Sequence, residues 1–193
     1  MNSEIDPKAY SENSWSLFCH PDHPADRIEA ITVSQEWTES GQLWLRYHID
    51  GELNAISTPD PANGERRDNL WQTTCCELFV RIPGDEAYGE YNFSPSSQWA
   101  AYQFSAFRKD MANMEVPGVP EIYCDASETH LALETTLLLP ERFDNQDLKA
   151  SFSVVIEEVD GPKSFWAVAH PAGVPEFHHR DCFSADLKAS KAL

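Results

Sequence analysis

Basic residues are scarce in this sequence. Fourteen Lys and Arg stand against thirty-two Asp and Glu in 193 residues, a formal net charge of −18. A surface of that sign repels a phosphate backbone and an anionic bilayer alike, which argues against nucleic acid and membrane as partners and favours a neutral or cationic ligand. Long apolar runs are also missing. No stretch reaches membrane-spanning length, and the opening MNSEIDPKAY lacks the basic start and apolar core of a secretory signal, so a cytoplasmic protein is expected. The five cysteines (Cys19, Cys75, Cys76, Cys124 and Cys182) form no CxxC pair, and an odd number of them suits reduced, mostly buried thiols.

Helical periodicity is equally absent. No segment of helical length keeps an apolar stripe at i, i+3, i+4 and i+7, although PERFDNQDL at 140–148 has the composition of a single turn. What the chain has instead is a period of two. In QLWLRYHI at 42–49, Leu43, Leu45, Tyr47 and Ile49 share one face and Trp44, Arg46 and His48 the other. The same alternation recurs at 28–37, 74–82, 87–94, 98–107, 129–139, 150–159 and 163–170, between clusters of Pro, Gly, Asn and Asp. The expected fold is all-β: one domain over 1–193, an antiparallel β-sandwich of jelly-roll type with about eight to ten strands and little helix. Two long connections, STPDPANGERRDN at 57–69 and RKDMANMEVPGVP at 108–120, are places where function concentrates.

Motifs for nucleophilic and nucleotide chemistry are lacking: there is no G-x-S-x-G, P-loop, GxGxxG or H-E-x-x-H. The chemistry-bearing residues lie elsewhere. In TCCELFVRI, strand parity sets Cys76, Leu78 and Val80 on one face and Cys75, Glu77 and Phe79 on the other, so a carboxylate stands mid-strand beside a ring. Glu77 is an ordinary solvated acid if that face meets water, and a ligand-facing acid if the face is hollow. On the next strand, YGEYNFSP, Tyr88, Glu90, Asn92 and Ser94 form a polar row that can lie beside Glu77. Carboxylates and amides match vicinal hydroxyls, and rings stack on the C–H face of a sugar. After the turn SPSSQWAAYQF, Trp99, Ala101 and Gln103 share one face, and Tyr102 and Phe104 the other. CHPDHPAD at 19–26 and EFHHRDCF at 176–183 combine His, Cys and Asp, but their spacing is not that of a zinc module, and no metal is expected.

The run DNLWQTTCCELFVRIPGDEAYGEYNFSPSSQWAAYQF, residues 68–104, with CHPDHP and EFHHRDCF as flanking motifs, resembles the bacterial DOMON-like domain proteins, relatives of the family 9 carbohydrate-binding modules. The resemblance implies a β-sandwich that binds sugar on a concave sheet face by an indole stack helped by an acid, an amide and basic residues. Carried onto this sequence it assigns the stacking ring to Trp71, the acid to Glu77 and a polar contact to Asn92, with Trp99 or Trp166 proposed for a second ring. The expectation is therefore a non-catalytic domain for an oligosaccharide or similar small polar ligand, without a cofactor. Three alternatives remain: a haem or redox-cofactor binder that recruits Met111, Met114, His178 or His179, an enzyme using Glu77 and histidines, and a module whose sheet face meets a protein partner.

Overall fold

In a computed structural model of the chain, residues 13–159 and 161–189 are described; MNSEIDPKAY lies outside them. Among the described residues twelve strands follow one another: β1 (Ser14–Cys19), β2 (Ile28–Trp37), β3 (Leu43–Gly51), β4 (Cys75–Arg81), β5 (Tyr88–Phe93), β6 (Trp99–Phe104), β7 (Ala112–Asn113), β8 (Glu121–Ala126), β9 (His130–Leu137), β10 (Leu148–Glu157), β11 (Lys163–Ala167) and β12 (Ala185–Leu187). All their pairings are antiparallel. Among the described residues the only helices are single 3-10 turns, one of them Glu141–Phe143 inside PERFDNQDL.

The strands make one hydrogen-bonded path, β7-β6-β5-β4-β10-β11-β1-β2-β3-β9-β8, with β12 added to β10. This corrects the expected sandwich of two separate sheets. β1 changes partner along its length, with Ser14 to Leu17 pairing with β2, and Phe18 and Cys19 with β11. The result is a single curled sheet, a half-barrel whose two halves close over a shared core. The strand count also exceeds the eight to ten expected. The strands not read from sequence are β1, β7, β8 and β12. β8 is an edge strand with a mostly exposed pattern, and β7 and β12 are two and three residues long, too short for an alternation to be visible.

Alternation fixes which residues face that core. Leu43, Leu45, Tyr47 and Ile49 of β3 are fully buried and meet Cys76, Leu78 and Val80 of β4 and Phe152, Val154 and Ile156 of β10. Each large side chain so buried contributes about 1.5–3 kcal/mol. Tyr47 Oη donates to the carbonyl of Glu77 at 2.7 Å and fixes the distance between the two halves.

The other face of β4, β5, β6 and β10 is covered as well. The segment 171–183 lies across it, and Phe177 and Phe183 pack with Phe79, Tyr88 and Phe104 in a second cluster. This strap forms one wall of a partly open cavity.

Candidate functional site

Register places the site. Across β10, β4 and β5, Ser153 pairs with Glu77 and Glu77 with Asn92; one step along, Ser151 pairs with Phe79 and Phe79 with Glu90. On β6, Tyr102 lies opposite Glu90. Because side chains alternate, Ser153, Glu77, Phe79, Glu90, Asn92 and Tyr102 all emerge on the strap side of the sheet.

Between this face and the strap is a cavity of about 440 Å³, within the size range of small-ligand sites. Glu77 and Glu90 stand in it among Phe79, Tyr102, Phe104, Val155 and Phe165; Pro175, Phe177 and His178 close it from the strap, and Asn69, Trp71, Arg108 and Met111 stand around it. Trp71 reaches it from the 3-10 turn Leu70–Gln72, whose Leu70 is buried and anchors the turn while the indole stays 49% exposed. Asn69, at φ 65°, turns the chain into that position. A half-exposed indole held by a buried neighbour is a ready platform for stacking.

The two carboxyls are the unusual groups. Glu77 is 3% and Glu90 5% exposed. Glu77 Oε2 accepts from Ser153 Oγ at 2.8 Å, and Glu90 Oε1 accepts from Asn92 Nδ2 at 2.7 Å. Burial, and secondarily the neighbouring Glu90 charge, push the Glu77 carboxyl up to about 8; burial pushes Glu90 up to about 7, against the pull of the Asn92 amide. Near neutral pH the pair therefore shares protons, and can both donate to and accept from a ligand.

The strap is tied down by a small network. Arg108 Nε and one terminal nitrogen fork onto Glu176 at 2.9 and 2.8 Å, a two-point pairing of guanidinium and carboxylate. The backbone N–H of Arg108, which sits at φ 52°, donates to Tyr88 Oη at 3.2 Å. The Tyr88 hydroxyl also shares a hydrogen bond with His178 Nδ1, 2.8 Å away, its direction set by the imidazole tautomer. Burial lowers His178 to about 4, so the ring is neutral, and its Nε2, 3.7 Å from Glu90 Oε2, is a dipole facing a carboxyl and not an ion pair.

On the far side of His178 lies a second, more open cleft of about 650 Å³. Its cations, Arg81, Lys109 and Arg180, share it with Asp85 and Glu86.

The residues singled out from sequence separate. Trp71 and Glu77 line the cavity together. Asn92 is fully buried one hydrogen bond behind it, holding Glu90. Trp99 faces the other way, into the main core, with the Arg66 guanidinium 4.9 Å from its ring and its Nε1 without a partner. Trp166 is in the same core, its Nε1 donating to Ser164 Oγ at 3.0 Å. The rings that do line the cavity are Tyr102, Phe104, Phe165 and Phe177, together with Phe79. The quoted stretch WAAYQF thus divides by parity, Trp99 inward and Tyr102 and Phe104 toward the cavity. The sequence does not mark Glu90 or Arg108 as site residues, although Glu90 stands in the polar row of β5 and Arg108 opens the long connection at 108–120; of the strap, EFHHRDCF is visible as a chemical cluster but not as a cavity wall. Of the His, Cys and Asp stretches, His20 packs edge-on to His170 at 5.0 Å and His178 belongs to the cavity; among the described residues no group of three or more such side chains could hold a metal ion.

No family profile matches the chain, and no curated protein is similar to it in sequence. Solved structures do resemble it. A proposed carbohydrate-binding protein from Bacteroides uniformis superimposes with a TM-score of 0.63 at 16% identity, covering 92% of this chain and 85% of its own. A family 9 carbohydrate-binding module from Caldicellulosiruptor kristjanssonii, in complex with glucose, superimposes with a TM-score of 0.54 at 8% identity, covering 91% and 84%. At such identities the likeness is one of fold: this curled all-β sheet is built like proteins that carry carbohydrate-binding sites.

Proposed function

We propose that the chain is a non-catalytic carbohydrate-binding domain whose ligand enters the cavity between the sheet face and the strap. The observation that carries this is the meeting of the half-exposed Trp71 indole with the buried Glu77 in one hollow of about 440 Å³. The indole offers a flat apolar face to a pyranose, and the Glu77–Glu90 pair offers a donor and an acceptor to its hydroxyls. The fold shared with a glucose-bound module supports the same reading. One ring and two or three polar contacts, less the cost of association, correspond to a roughly micromolar to millimolar affinity.

Calorimetry and tryptophan fluorescence with a panel of mono- and disaccharides test the reading. Saturable heats that vanish in Trp71→Ala are expected; heats equal to buffer across the panel would overturn it.

A resident haem fits this site poorly. Met111 and His178 both line the cavity, but Met114 is buried in the core, and His178 engages Nδ1 with Tyr88 and turns Nε2 toward Glu90. Neither imidazole nitrogen is turned outward for an axial bond, and two buried carboxyls are poor neighbours for a porphyrin face. The five thiols are all unpaired, in keeping with our proposal of a reducing, cytoplasmic setting.

A second reading has one specific observation behind it: two carboxyls with raised proton affinity beside a neutral imidazole are also what acid–base catalysis uses. Hydrolysis of an aryl glycoside by the wild type that disappears in Glu77→Gln would favour that enzyme; no turnover above buffer favours the binding domain.

A further inference from the structure

Two buried acids share this cavity with one cation, Arg108, whose charge lowers the proton affinity of both. Glu77 and Glu90 are diagonal neighbours on adjacent strands, since Glu77 pairs with Asn92 and Phe79 with Glu90. Each uses one oxygen on a neutral donor, Ser153 or Asn92. The other oxygens are left over. Among the described residues neither Glu77 Oε1 nor Glu90 Oε2 has a hydrogen-bond partner; the neutral His178 Nε2 lies 3.7 Å from Glu90 Oε2. The cavity's guanidinium, that of Arg108, is already forked onto Glu176.

Among the described residues that line the cavity Arg108 is the one cation facing the pair, and its charge is shared with Glu176, so the two carboxyls are only partly compensated. The strap supplies neutral His178 and the acid Glu176, the 105–110 loop supplies Arg108 to that acid, and Asp68 accepts from Tyr102 Oη at 2.8 Å behind the aromatic wall. The cavity that Glu77 and Glu90 line is walled by Trp71, Phe79, Tyr102, Phe104 and Phe165. Buried carboxyls without a full counter-charge are costly, and aromatic faces attract ammonium groups within about 6 Å. A chain of net charge −18 also draws cations toward it.

We propose that this cavity selects a cationic saccharide, a hexosamine with a free protonated amine, over its neutral counterpart, the ammonium lodging between Glu77 and Glu90 while the ring stacks on Trp71. The proposal rests on the carbohydrate reading above. A cation favours the charged form of both acids. Burial holds them at about 8 and about 7 in the free protein, so its entry drives protons off them.

The test is calorimetry at about pH 6.5, where an amine is protonated, comparing methyl glucosaminide with methyl glucoside and methyl N-acetylglucosaminide. The amine is expected to bind about tenfold or more tightly than either, with proton release read from the heats in two buffers of different ionisation enthalpy. Glu77→Gln and Glu90→Gln should each narrow that ratio, in protein whose near-ultraviolet dichroism is unchanged. If the neutral glucoside binds as well as the amine or better, this proposal falls while the carbohydrate reading stands. If none of the three binds, this proposal falls, and the panel of mono- and disaccharides decides the carbohydrate reading separately. An amine advantage that survives in both variants also overturns this proposal, and the wild-type comparison decides the matter even if a variant fails to fold.

Discussion

Ser153 Oγ lies 2.8 Å from Glu77 Oε2, directly across the β10–β4 pairing, and donates the only hydrogen bond that the buried carboxyl receives among the described residues. That hydroxyl works against burial: it favours the ionised form of Glu77, while loss of water favours the neutral one. Ser153→Ala should raise the Glu77 titration midpoint further and cost about 1–2 kcal/mol of stability, the loss of one partner from a buried polar pair. Carbon-detected NMR titration of the Glu77 carboxyl and urea unfolding are the measurements. A midpoint that stays put would mean the hydroxyl does not govern the acid.

The pH dependence of stability follows from the buried pair with a sign opposite to the usual carboxylate. The folded state binds protons on Glu77 and Glu90 up to about 8 and about 7, while the unfolded chain releases them near 4.3. Over the interval between, the folded state carries more protons, and stability falls as pH rises. His178 runs the other way: lowered to about 4 when folded and near 6.5 when unfolded, it adds stability as pH rises up to about 6.5. The window from about 6.5 to 8 therefore isolates the carboxyls. Urea midpoints of the ligand-free protein should decrease across it, and less so in Glu77→Gln; a midpoint that holds or climbs would contradict the assignment.

Trp71 and Trp99 should behave oppositely when truncated. Trp99→Ala empties a core position and should cost about 3–5 kcal/mol. Trp71→Ala removes a 49% exposed ring and should cost well under about 1 kcal/mol while abolishing the fluorescence response to sugar. Thermal melts alongside ligand titrations read both effects. Equal destabilisation by the two changes would refute the division of the tryptophans between core and cavity.

Tyr88→Phe deletes the hydroxyl that accepts from Arg108 N–H and shares a hydrogen bond with His178 Nδ1. It leaves the stack with Phe104, ring centroids 4.7 Å apart, in place. The expected result is a small stability change, about 1 kcal/mol, with faster amide exchange in 171–183 and several-fold weaker sugar binding. Unaltered exchange there would show that the strap is held by its rings alone.

Much of this arrangement was legible in strand parity. TCCELFVRI and YGEYNFSP assign every buried side chain to its observed face, because a period of two survives wherever a strand lies in a sheet. What parity cannot state is which face is the inner one. In β4, β5 and β6 both faces are covered, so apolar residues occur on each, and Trp99 looks from sequence as eligible for the cavity as Tyr102. EFHHRDCF is visible as a chemical cluster, but its role comes from where the strap crosses the sheet, a long-range contact that local pattern does not encode. The sequence offers Asn92 as a ligand contact, whereas its amide donates to Glu90 Oε1, a distinction that lies in side-chain rotamers.

The partner exchange along β1 has a consequence for the order of assembly. Joining Phe18 to Ala167 closes a loop over most of the chain, and such closure comes late when local hairpins such as β2–β3 and β4–β5 can form first. The strap follows β11, so its settling should trail that closure, and pulse-labelled exchange should find β3 amides protected before those of 176–183. A folding intermediate would then possess a nearly complete scaffold and no receptor for its guest.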